Sequence, residues 1–96
     1  MKYKLKNGEE VDLEITMRKL FKYEKETGDH SITRMIAENS ATGSSVETCC
    51  KVLYIGYICG KNNQKYTLND FMDNINFNIA DIINTAYELI SSNSKN

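Results

Sequence analysis

The chain has 96 residues, a net charge of −1, and 41% hydrophobic and 26% charged residues, values ordinary for one water-soluble globular domain. The near-neutral balance argues against a dedicated nucleic-acid binder, which carries a marked basic excess. The opening Met1-Lys2-Tyr3-Lys4 is charged and alternating, unlike a signal segment, and no apolar run approaches the ~20 residues of a membrane span, so a cytoplasmic protein with no membrane and no nucleic acid as partner is expected.

The first 15 residues read as a β-hairpin. If Asn7-Gly8 formed a two-residue turn, Leu5 would face Glu10 and Lys4 would face Val11, mixing apolar and charged side chains on both faces. A three-residue loop, Lys6-Asn7-Gly8, with Gly8 in the left-handed conformation, resolves this. Tyr3 then opposes Val11 and Met1 opposes Leu13 on an apolar face. Lys4 meets Glu10 and Lys2 meets Asp12 on the other, each exposed pair contributing ~0.2–1 kcal/mol.

Thr16 is placed to cap a helix over 17–27, with Met17, Leu20, Phe21 and Glu24 on one side, Arg18, Lys22 and Lys25 on another, and Gly28 at its end. Ser31 is expected to cap a short second helix carrying Ile32, Met35 and Ile36, before a loop at 39–43. Ser44 and Glu47 have the spacing of a capping box. It opens a third helix with Val46, Cys49, Cys50, Leu53, Tyr54 and Tyr57 as its main stripe. Val52, Ile55 and Ile58 carry the apolar surface around most of the circumference, so this helix is expected at the centre of the domain or under a partner. Gly60 ends it, and 61–65 is a polar loop. Thr67 and Asp70 mark a short helix with Leu68, Phe71 and Met72. The last helix is expected from about Asn78 to Ser91. Ile75, Ile79, Ile82, Ile83, Ala86, Tyr87 and Ile90 fit an amphipathic template there, and a polar tail over 92–96 follows. The expected fold is α+β: one domain over 1–96, a hairpin at 1–15 and four to five helices over 16–91.

Chemistry has little to work with. Asp29-His30-Ser31 imitates a triad in order only, because triads assemble in space and sequence neighbours rarely point at one another. Glu24 and Glu26 do not share a helix face, which makes them a poor acid–base pair. Cys49, Cys50 and Cys59 are an odd set inside an apolar segment and read as small core hydrophobes. No metal site, cofactor or catalytic residue is expected. The Arg18–Lys22–Lys25 stripe reads first as a solvated helix face, and the Tyr54-Ile55-Gly56-Tyr57 run first as core. What remains is surface, and an interaction module is favoured over an enzyme. The candidate partner-binding residues are Tyr54, Tyr57, Ile58, Ile79, Ile83, Tyr87, Arg18 and Lys22.

The hairpin followed by Thr16-Met17-Arg18-Lys19-Leu20-Phe21-Lys22-Tyr23-Glu24-Lys25-Glu26-Thr27-Gly28 resembles the tail assembly chaperones of long-tailed bacteriophages and prophages. In that family a strand pair leads into a helix ending in a Glu-x-x-Thr-Gly-like turn. Leu53-Tyr54-Ile55-Gly56-Tyr57 and Tyr66-Thr67-Leu68-Asn69-Asp70-Phe71 look like the family's second half. The resemblance implies a non-enzymatic role in the host cytoplasm: binding the helical tape-measure protein while tail-tube subunits polymerise. Tail-tube protein and a second copy of the chain are further partner options. A small regulatory or adaptor protein of a mobile element, acting through the same faces, is the alternative.

The core assignment of the cysteines has a direct check. Intact-mass measurement with thiol labelling, on protein prepared without reductant, is expected to count three free thiols and no zinc. Cys50→Ser is expected to cost roughly 1–3 kcal/mol in urea denaturation, through a poorly satisfied buried hydroxyl.

Overall fold

Strand alternation and one glycine set the hairpin. In the computed structural model, which describes residues 1–38, 46–60, 62 and 66–94 (35–38 and 92–94 as backbone only), β1 (Lys2–Lys4) pairs antiparallel with β2 (Glu10–Asp12). The register is Lys2 with Asp12, Tyr3 with Val11 and Lys4 with Glu10. The loop is the three-residue one. Leu5 N–H donates to Glu9 O at 2.8 Å, Gly8 N–H donates to Leu5 O at 2.9 Å, and Gly8 has φ of 91°. Tyr3, Leu5, Val11 and Leu13 are accordingly buried, while Lys2, Lys4 and Glu10 are exposed.

Five helices follow among the described residues: α1 (Met17–Thr27), α2 (Ser31–Glu38), α3 (Val46–Cys59), α4 (Leu68–Asp73) and α5 (Ile79–Ser94). The fold is α+β, with the hairpin first and the helices after it. Thr16 caps α1 by accepting from Lys19 N–H, and Gly28 closes it at φ 72° with its N–H on Glu24 O at 2.8 Å. Thr67 caps α4 by accepting from Asp70 N–H at 3.2 Å. Asn78 caps α5, its side chain accepting from Asp81 N–H at 3.1 Å and its carbonyl from Ile82 N–H.

The central element is α3, which packs on α1, α2, α4, α5 and β2. It is apolar on nearly all sides, and Cys49, Val52, Leu53, Ile55 and Tyr57 are each 1% exposed or less. All three cysteines are free and buried. Leu20, Ile32, Phe71, Ile82, Ala86, Leu89 and Ile90 close the core from the surrounding helices.

The contact between α3 and β2 is made by backbone. Leu13 N–H donates to Met1 O at 2.7 Å, so in the antiparallel alternation Asp12 turns its own N–H and C=O away from β1. The Asn62 side chain meets both, accepting from Asp12 N–H at 2.9 Å and donating to Asp12 O at 2.7 Å. One residue pair further on, Glu14 N–H donates to Gly56 O at 3.0 Å. A side-chain amide and a helix carbonyl thus do what a third strand would do.

Several expectations are corrected. The helix expected to be capped by Ser31 begins at Ser31 itself, and the Asp29 carboxylate accepts Ser31 N–H at 3.0 Å. On α1 the inward side is Leu20 and Glu24, leaving Met17 and Phe21 51% and 54% exposed. On α5 the buried positions are Ile82, Ala86, Leu89 and Ile90, so Leu89 joins the core and Ile79 and Tyr87 leave it. The helix also continues past Ser91 to Ser94. In both helices the face is chosen by where α3 lies, which periodicity does not specify. The Ser44–Glu47 capping box, the 39–43 loop, most of the 61–65 loop, and the side chains of Met35 and Ile36 lie outside what is described.

The two glycines of α3's last turns predict opposite outcomes. A Cβ on Gly60 would lie 2.1 Å from Asp12 O, so Gly60→Ala must push two backbones apart and is expected to cost about 3 kcal/mol or more. At Gly56 the nearest atom is the Leu89 side-chain tip at 3.2 Å. That atom can give way, and helix propensity favours alanine by roughly 0.5–1 kcal/mol. Gly56→Ala is expected to be near neutral, and urea denaturation of both variants reads the contrast.

Candidate functional site

Where α1 crosses α3, the short side chains at the α3 terminus let the two helices approach and leave a furrow. Lys19 crosses this junction, its ammonium donating to Cys59 O at 3.0 Å. A cation on the last carbonyls of a helix satisfies groups that have no intrahelical partner. The resulting groove, about 360 Å³, is lined by Lys19, Lys22, Tyr23, Glu26, Tyr54 and Ile58. Tyr54 and Ile58 are half-buried and supply an apolar floor, and Lys22 and Glu26 stand at 4.0 Å on the rim.

Three of the sequence candidates, Lys22, Tyr54 and Ile58, therefore share one site. Arg18 lies exposed on α1, outside the groove lining. Ile79, Ile83 and Tyr87 follow one another at single-turn intervals along α5. Ile79 and Tyr87 are about half exposed, at 45% and 44%, and Ile83 is half-buried. Tyr57 is 1% exposed and is core. Its ring stacks on Phe71 with centroids 5.0 Å apart, and Tyr54 and Tyr66 complete the cluster. Tyr54 sits at the rim and donates its hydroxyl to Tyr66 O at 3.2 Å.

The side of α1 away from the groove carries the polar ties to α2 and α3. Glu24 is buried beneath α2, accepts a hydrogen bond from the Thr33 hydroxyl, and faces His30 Nδ1 at 3.6 Å. Asp29 turns the other way and accepts from Lys51 Nζ at 3.1 Å, and Lys51 also stands 3.7 Å from Glu47. Asp29 and His30 thus serve different partners, and Asp29-His30-Ser31 assembles no triad. The Ser31 hydroxyl and backbone amide beside Asp29, with the Lys51 ammonium, hold its carboxyl down at about 2. Burial pushes all three cysteine thiols above their ordinary range, which disfavours the reactive thiolate. Among the described residues no three His, Cys, Asp or Glu side chains gather as a metal site.

Two features escaped the sequence reading. Tyr66 is a polar hub. Its hydroxyl donates to Glu9 Oε1 at 2.8 Å and accepts from Asn7 Nδ2 at 3.1 Å and Asn74 Nδ2 at 3.2 Å. It fastens the hairpin loop to the end of α4, across nearly sixty residues of sequence. The second is an apolar groove of about 370 Å³ between α3, α4 and the start of α5, lined by Val46, Cys50, Met72, Ile75, Asn76, Phe77, Ile79 and Ile82. Phe77 stands on it 92% exposed. A phenylalanine in the polar Asn76–Asn78 turn was its only signal in the sequence.

Comparison with known proteins finds no family model that matches the chain, no similar curated protein and no similar solved structure. No helix among the described residues is long and apolar enough to cross a membrane.

Asp29 gives a pH prediction. Its folded value lies below the ~3.9 of an unperturbed aspartate, so its contribution is complete above about pH 4 and is lost as pH falls through about 2. Asp29→Asn is expected to lose roughly 1–2 kcal/mol at pH 7. The gap between variant and wild type in urea denaturation narrows steadily below pH 4.

Proposed function

We propose that this chain is a non-enzymatic tail assembly chaperone of a long-tailed phage or prophage, acting in the host cytoplasm and binding the tape-measure protein. The observation that carries the reading is the α1–α3 groove, where Tyr23, Tyr54 and Ile58 form an apolar floor between the rim charges Lys19, Lys22 and Glu26. An apolar groove of this kind receives the anchor side chains of an amphipathic helix at i, i+3, i+4 and i+7. A tape measure is a long helical protein that exposes such anchors until tube subunits enclose it. The hairpin leading into a helix closed by Gly28 supports the same assignment through its resemblance to that family. The rim charges set the register of a bound helix more than its affinity.

Co-expression with the cognate tape-measure protein is the test. The wild-type chain is expected to co-purify with it and to raise its soluble fraction. Lys22→Glu combined with Ile58→Glu is expected to weaken capture about tenfold or more, with the circular-dichroism spectrum retained. A wild-type chain that neither co-purifies nor solubilises would end the chaperone reading and leave the adaptor reading in its place.

A further inference from the structure

Outside the α1–α3 groove, two surface patches of opposite character face solvent. The first is the outer ridge of α1. Met17 and Phe21 lie one turn apart and are 51% and 54% exposed. Lys25 continues the same line one turn later, and Arg18 runs beside it, both exposed. The second is the apolar groove of about 370 Å³ walled by Val46, Cys50, Met72, Ile75 and Ile79. Its flanks are acidic: Asp73 follows Met72, Asp81 precedes Ile82, and both are exposed.

We propose that these patches are the two halves of a head-to-tail contact between copies of the chain. The α1 ridge of one copy seats Met17 and Phe21 in the α3–α4–α5 groove of the next, and Arg18 and Lys25 meet Asp73 and Asp81. Charge complementarity singles out a second copy as the occupant. The knobs carry cations, the hole carries anions, and one molecule bears both. Because the two surfaces differ, the contact is heterologous, and it propagates to a ring or an open chain, not a closed two-fold dimer. One ridge in one groove makes a small interface of the transient class. Association therefore grows with concentration and falls with salt. The proposal stands independently of the chaperone reading, since it uses neither the α1–α3 groove nor a second protein.

Sedimentation velocity with charge-reversed variants tests it. The wild-type chain is expected to increase in average mass between micromolar and millimolar concentration at low ionic strength, and to return to monomer in high salt. R18E/K25E has an acidic ridge and an acidic groove, and D73K/D81K has a basic ridge and a basic groove. Each is expected to stay monomeric alone while keeping its circular-dichroism spectrum. Mixed in equal amounts they are expected to associate again, each ridge now facing a groove of opposite sign. Phe21→Ser added to both variants removes that rescue, which separates the seated contact from general charge attraction. A wild-type chain that remains monomeric at millimolar concentration and low salt overturns the proposal. So does a folded mixture that fails to associate, or one whose association survives Phe21→Ser.

Discussion

Where the last turns of α3 meet β2, two backbones touch with almost no side chain between them. Gly60 allows Asp12 O to approach to a distance that any Cβ would forbid. Gly56, one turn earlier, presents a bare carbonyl to Glu14 N–H. Asn62 then closes the remaining donor and acceptor of Asp12. A two-stranded hairpin is marginal in water by itself, and its outer edges invite pairing with another chain. Here the β2 edge is consumed by the helix it packs on. β1 is blunted by Lys2 and Lys4, and the following turn meets it, with Lys6 N–H on Asn74 O and Asn76 Nδ2 on Lys4 O.

That junction orients everything else. With α3 pinned against the hairpin, its remaining sides must be covered by α1, α2, α4 and α5, and so small a chain has no other helix to spend on the task. Each covering helix turns one face to α3 and is fastened at its end by a polar tie. Lys51 holds the α1–α2 turn through Asp29, Glu24 holds Thr33 of α2, Lys19 reaches the α3 terminus, and Tyr66 binds the hairpin loop to α4. Most of these ties lie at the rim of the core, where the groups keep contact with water and the cost of burying charge stays low.

The surface follows from the same arrangement. α1 and α5 carry more apolar residues than one contact with α3 can bury, and the surplus faces outward: Met17 and Phe21 on α1, Ile79 and Tyr87 on α5, and Phe77 in the turn before it. Single exposed apolar residues are ordinary, whereas runs at one-turn spacing beside a groove mark contact surfaces. The chemistry on the page is of the same kind. The thiols are buried and disfavoured as thiolates, the histidine faces a carboxylate from the edge, and the side chains that gather on the surface are apolar anchors with charged rims.

The order of elements, the hairpin register and most helix ends were legible in the sequence because each depends on neighbours along the chain. Alternation with Gly8 fixes a register, Thr16 and Thr67 cap within three residues, and Gly28 supplies the left-handed turn. The all-round apolar character of 46–59 likewise announced a central helix. Which side of α1 and α5 would be buried was decided only in three dimensions, since a broad apolar stripe leaves the rotation of a helix free until a partner selects it. Met17 and Phe21 look as core-like as Leu20, and Leu89 lies beside the Ile82–Ile90 pattern without belonging to it. The Asn62 and Tyr66 bonds were illegible for the same reason: polar side chains in loops acquire their partners from segments fifty residues away. Local chemistry determined the elements of this protein, and the packing around α3 determined which of their faces remain to meet another molecule.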